Sequence, residues 1–93
     1  MADWTWDEVK NIQNRRKHGL GFESAILVFE DEHAKSRPDP FSDEERWNTV
    51  GEVAGMLIFV VHTEAQTEGG TGRVVSARKA TAHERKAYEE GDF

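Results

Sequence analysis

The run Met56-Leu57-Ile58-Phe59-Val60-Val61 constrains this chain more than any other stretch. It is too short to span a bilayer, which takes roughly 20 apolar residues. It carries no helical spacing of polar positions. Its length and β-branched content make it a central strand, Met56 to Thr63, covered on both faces. The Ala54-Gly55 pair just before it reads as a short hairpin connection to a strand over Arg46 to Val53. Alternation puts Trp47, Thr49, Gly51 and Val53 on one face of that strand, and Arg46, Asn48, Val50 and Glu52 on the other. A last strand is expected at Arg73 to Arg78, with Val74, Ser76 and Arg78 on one face and Arg73, Val75 and Ala77 on the other. Glu64 to Gly72, with Gly69-Gly70, is the loop between them.

Helices flank this meander. Thr5 and Glu8 have the spacing of a capping box, and Gly19 supplies a stop, which predicts a helix over about residues 6 to 18. Val9, Ile12 and Gln13 begin its inward face. Phe22, Ala25, Ile26 and Phe29 recur at helical spacing and predict a second helix at Phe22 to Phe29, with Gly21 as its N-cap. His33 to Arg37 is a weak edge-strand candidate. Pro38-Asp39-Pro40 then breaks any helix, and Phe41 to Glu45 is an acidic loop. Thr81 and Glu84 repeat the capping-box spacing and open a final helix, which Gly91 stops. Two N-terminal helices, an antiparallel sheet of three to four strands and a C-terminal helix make an α+β chain, with the helices on one face of the sheet.

At 93 residues, positions 1–93 form a single domain. There is no Cys, so no disulfide or thiolate metal site is available. His18, His33, His62 and His83 lack metal-ligand spacing, so neither a metal nor a cofactor is expected. The N-terminal stretch has no signal-peptide character, and no apolar run is long enough to span a membrane, which predicts a cytoplasmic protein. Net charge is −6 at pH 7, which argues against non-specific nucleic-acid binding. The charge is uneven: Arg15-Arg16-Lys17, Arg78-Lys79 and Arg85-Lys86 leave room for a local basic face.

His62, Ser76 and Arg78 are the first candidates for chemistry. If the last two strands pair as a meander, His62 can share a face with Ser76 and Arg78, but register is not legible from sequence. Each residue alone also has an ordinary reading, as a solvated strand-end Arg or a hydrogen-bonded His. Arg15 to His18 is a second basic group, equally well read as a dipole-favoured last helical turn. Arg46 and Tyr88 together suit single-stranded RNA, where a guanidinium neutralises phosphate and a ring stacks a base. Tyr88 reads as well as a core contact. No basic recognition helix for DNA is visible.

Several segments together resemble the BrnT family of type II toxin–antitoxin toxins. These are Trp4-Thr5-Trp6-Asp7, Lys17-His18-Gly19, Phe22-Glu23-Ser24-Ala25, Glu45-Arg46, Val60-Val61-His62-Thr63, Arg73 to Ala80, and Glu84 to Glu89. The resemblance implies a RelE-like fold, metal-independent ribonuclease activity that arrests translation, and a cognate antitoxin of ribbon-helix-helix type. DNA would be contacted only through that antitoxin. A homodimer and a toxin–antitoxin heterotetramer are both open. The family's strand residues map onto Arg46, His62, Arg73 and Arg78, and its Lys-His-Gly turn onto Lys17-His18-Gly19. On this reading Arg73 and Arg78 stabilise phosphate charge, and His62, whose ordinary pKa is near neutrality, is the acid or base. Lys17, His18, Arg46, Ser76, Lys79 and Tyr88 would bind the substrate. The alternative is a non-catalytic module that only docks an antitoxin-like partner.

Overall fold

The computed structural model describes residues 3–41, 45–63 and 71–93. The Phe41 to Glu45 and Glu64 to Gly72 loops therefore lie largely outside the described residues. The chain is α+β, and the described residues form three α-helices and a five-stranded mixed sheet. The strands are β1 (Asp3–Thr5), β2 (Lys35–Pro38), β3 (Trp47–Val53), β4 (Met56–His62) and β5 (Thr71–Lys79), and the helices are α1 (Glu8–His18), α2 (Phe22–Ala25) and α3 (Ala82–Glu90). The sheet order is β1-β5-β4-β3-β2, with β1 parallel to β5 and the other pairs antiparallel.

The β2 to β5 meander follows the sequence pattern. β3 and β4 pair from Trp47↔His62 to Val53↔Met56, and Ala54-Gly55 turns between them with φ of 50° and 83°. Positive φ at both turn residues matches the twist of the flanking strands. Pro38 ends β2, an edge strand, where a missing N–H costs nothing.

Three expectations are corrected. Thr5 is not the N-cap of α1. It belongs to β1, a strand the sequence pattern did not suggest, and Asp7 is the cap, its Oδ1 accepting from the Val9 and Lys10 N–H groups. The second helix stops at Ala25 and tightens into a 3₁₀ helix over Ile26–Glu30. Three residues per turn puts Phe22, Ala25 and Val28 inward, all at 0% exposure, and leaves Ile26 and Phe29 half-buried. Finally, the helices do not all sit on one face. The turn formed by α2 and the 3₁₀ helix packs on one face, with Leu20, Phe22, Ala25 and Val28 against Ile58, Val60, Val74 and Ala77. The face bearing Phe59 and Arg78 is instead met by residues of α3 and the segment after it: Phe93 lies against Phe59, and Glu84 pairs with Arg78.

The inward face of α1 is also unlike its apolar pattern. Val9 and Ile12 are exposed, whereas Asn11 and Asn14 are buried. Asn11 accepts from the Phe22 N–H at 2.8 Å and donates to Glu23. Asn14 donates to the Leu20 and Ala77 carbonyls and accepts from the Ala77 N–H. Its amide thus stands in for a neighbouring strand at the outer edge of β5, beyond the reach of short β1, where an unpaired edge would otherwise be left. No helix among the described residues is long and apolar enough to cross a membrane.

Candidate functional site

Strand register sorts the polar residues onto two faces. Paired residues share a face, so Thr49, Val60 and Ala77 look toward α2, and so do Trp47, His62 and Val74. The opposite face is a grid. One row runs Lys35, Val50, Phe59, Arg78, and the next runs Arg37, Asn48, Val61, Ser76. Beyond it, alternation places Arg46, Thr63 and Arg73 on the same side. The Thr63 N–H bonds to the Arg73 carbonyl at 2.9 Å, and the Arg73 N–H bonds to Thr63 Oγ1 at 2.8 Å, which ties these two ends together.

His62 is not on the face of Ser76 and Arg78. A bulge between Val61 and His62 pairs His62 with Val74 while Val61 stays with Ser76. The extra residue on β5 breaks the strict alternation, so Val74 joins Ala77 in the core and parts from Ser76 and Arg78. His62 is 5% exposed. Its ring meets Trp4 and Phe29 edge-on, and those two rings stack at 4.1 Å. Trp4 in turn lies over Gly72, where a Cβ would come within 2.4 Å of its ring. Both ring nitrogens of His62 are engaged. Nδ1 is 2.8 Å from the Thr63 carbonyl, which only accepts, so Nδ1 carries the proton. Nε2 then accepts from Thr49 Oγ1 at 2.6 Å, and Thr49 accepts from Ser36 Oγ at 2.7 Å. Burial pushes the His62 pKa below its ordinary value, against the opposing pull of the Thr63 carbonyl.

Arg78 stands at the border between the open face and α3. It donates to both carboxylate oxygens of Glu84, at 2.8 and 2.9 Å, and lies 4.2 Å over the Phe59 ring. Glu84 also completes the predicted capping box of α3, accepting from the Thr81 N–H at 2.8 Å. Burial opposes its charge, but the Arg78 and Thr81 hydrogen bonds outweigh it and hold its pKa below the ordinary value. The same pair raises the pKa of Arg78.

The remaining sequence candidates are dispersed. Lys17 and His18 stand in the last turn of α1, and the hydrogen bonds of Arg78 among the described residues go to Glu84 and the Lys79 carbonyl instead. Lys79 is exposed and pairs with Ile58, on the core side of the grid. The Tyr88 hydroxyl donates to Asp31 Oδ2 at 2.7 Å, and that oxygen also accepts from the Glu52 N–H. This hydrogen bond, then burial, pushes the Tyr88 pKa up to about 12. Tyr88 fastens α3 to the edge of β3 and so stands apart from Arg46.

Residues missed from sequence lie in the same grid. Arg37 faces Asn48 across β2 and β3, and its guanidinium lies 4.5 Å over the Phe93 ring. The alternation of Arg46 and Asn48 was legible. The partner across the strand was not, because a weak edge strand carries no register. The chain matches no curated protein. The family model of BrnT, a ribonuclease toxin of type II toxin–antitoxin systems, matches residues 6–84, from the entry to α1 through the Glu84 that holds Arg78, and the chain belongs to that family.

Proposed function

We propose that the chain is an endoribonuclease that cleaves RNA to arrest translation, and that the grid face is its working surface. The observation carrying this is that Arg37, Arg46, Arg73 and Arg78 share one face of the sheet with Ser76 in an otherwise acidic protein. Attack of a ribose 2′-hydroxyl on the adjacent phosphorus builds negative charge on the phosphate oxygens. Fixed guanidinium groups stabilise that charge without reorganising, and arginine grips phosphate through two parallel N–H donors. Arg73 and Arg78 take this role, Arg46 positions the backbone, and Ser76 donates to a phosphate oxygen. Proton transfer is assigned to solvent and not to His62, whose ring nitrogens are both engaged on the far side of the sheet. His62 instead holds Trp4, Phe29 and the β4–β5 register.

A type II toxin implies an antitoxin partner. We assign it to the ribbon-helix-helix class. It covers the grid face and supplies all contact with DNA.

The test is incubation of purified protein with single-stranded RNA, with Arg78→Ala and Arg73→Ala alongside. Cleavage by wild type that falls on the order of 100-fold in either variant is expected, the usual cost of losing one transition-state donor. Equal cleavage by all three proteins, or by none, refutes the assignment.

One observation favours a second reading, a module that only docks its partner: Glu84 already neutralises Arg78. Expression in bacteria without the antitoxin separates the two. Growth arrest that needs Arg78 supports the enzyme, and harmless expression supports the module.

A further inference from the structure

Four side chains line up across the grid face as cation, ring, ring, cation. Arg37 lies 4.5 Å over the Phe93 ring, Phe93 meets Phe59 at 6.3 Å and 74°, and Arg78 lies 4.2 Å over Phe59. Three of the four are fixed by strands. Phe93 is not. It follows α3 beyond Gly91, whose φ of 70° ends the helix, and the Asp92 N–H donates to the Ala87 carbonyl.

Beside Arg37, across the β2–β3 pair, is Asn48. It is 6% exposed, and its Oδ1 is buried with no hydrogen-bond partner among the described residues. Native proteins leave few buried acceptors in that state, and those they keep call for a reason. An apolar residue of similar shape would fill this position without the unmet acceptor.

We propose that this is a nucleobase pocket, and that Phe93 is a displaceable plug occupying the place of the base. It rests on the reading of the grid face as an RNA surface and names what that surface recognises. A base of single-stranded RNA sits under the Arg37 guanidinium and meets Phe59 edge-to-face, as the Phe93 ring does, a use of arginine and aromatic side chains common in RNA recognition. Asn48 Oδ1 accepts a hydrogen bond from its exocyclic amino group. The pocket therefore takes adenine or cytosine over uracil, which presents a carbonyl where they present an amine. Arg46, just before β3, lies two residues along the chain from Asn48, about 7 Å away. That spacing suits the phosphate of the same nucleotide. A ring, and not a phosphate, is indicated at Arg37 because its guanidinium already stands 4.5 Å from the centre of one.

The test is titration of the full chain with AMP, CMP and UMP, followed by calorimetry and by NMR of side-chain N–H groups. Phe93→Ala should bind AMP and CMP at least 5-fold more tightly than wild type does, with UMP gaining less. Asn48→Leu in the Phe93→Ala background should erase the preference over UMP while leaving the fold intact. Equal affinity of wild type and Phe93→Ala overturns the proposal, and so does a gain that is the same for all three nucleotides. If Phe93→Ala does not fold, the wild-type spectrum decides. AMP-induced shifts at the Arg37 Nε–H and the Asn48 amide support the pocket, and their absence overturns it. Mononucleotide binding needs no cleavage, so the two readings fail separately. Binding as stated without RNA cleavage sinks the ribonuclease and keeps the pocket. Cleavage with no effect of Phe93 sinks the pocket alone.

Discussion

Glu84 holds Arg78 by a two-pronged hydrogen bond while its Oε1 also accepts from the Thr81 N–H at the start of α3. One carboxylate thus caps a helix and docks that helix to the face bearing the arginines. The Arg78 and Glu84 side chains are 36% and 12% exposed, so solvent screens the pair only in part. Arg78→Ala should cost about 1 kcal/mol in urea denaturation, within the range of partly exposed pairs. Glu84→Ala loses the pair and half the capping box and should cost about 2 kcal/mol. Glu84→Gln, which removes the negative charge beside Arg78, should tighten single-stranded RNA binding and steepen its salt dependence. An unchanged salt slope would show that Arg78 meets no phosphate.

His62 predicts how stability responds to pH. Burial lowers its pKa from the ordinary 6.5, so the unfolded chain takes up this proton at a higher pH than the folded one. Its contribution is fully present above 6.5 and is lost as pH falls from there toward the folded value. Glu84 and Asp31 also have lowered pKa values, but their ordinary values of 4.5 and 3.8 put their effect below that window. The urea midpoint should therefore fall between pH 7 and pH 5. His62→Phe should flatten that part of the profile, although it lowers stability throughout by removing the hydrogen bonds to Thr49 and the Thr63 carbonyl.

Asn14 should be among the costliest substitutions. Asn14→Leu keeps the volume but strands the Leu20 carbonyl and both backbone groups of Ala77. Buried groups left this way cost roughly 1–3 kcal/mol each, and relaxation recovers part, so a loss of about 3 kcal/mol is expected. For a domain of this size that lowers Tm by roughly 10–20 °C. Thermal unfolding followed by circular dichroism checks it. A shift of a degree or two would mean that water replaces the amide.

Tyr88 is the chain's single tyrosine, so its ionisation is read directly from absorbance near 295 nm. The native protein should titrate at about 12, because the hydroxyl donates to Asp31 and ionisation would set two negative charges together. Asp31→Asn should bring the midpoint back toward the ordinary 10.0. A wild-type midpoint near 10.0 would mean that α3 is not fastened at this end.

Local chemistry was legible where one residue determines its own neighbourhood. Thr81 and Glu84 announced their capping box, Gly19 and Gly91 their helix stops, and Ala54-Gly55 its turn. Asn14 and Val9 show where this legibility ends. Helical spacing favoured Val9, Ile12 and Gln13 on the inward face, yet that side is taken by asparagines. The outer edge of β5 needed hydrogen bonds more than α1 needed apolar contact. β1 was hidden for a related reason, since three residues pairing with a strand over 60 positions away leave no local pattern.

The sequence by itself determined the α+β class, the meander, the final helix and the family, all of which depend on residues near one another along the chain. Only the tertiary structure decided which polar residues share a face. Pairing of Val61 with Ser76 put Ser76 and Arg78 on the face opposite His62, and one extra residue in β5 turned Val74 inward beside His62. Register is set by pairing across strands, and a shift of one residue exchanges the two faces of a strand. The edge-strand Arg37 and the distant Phe93 joined the arginine face for the same reason. Their positions follow from long-range packing, which no local spacing encodes.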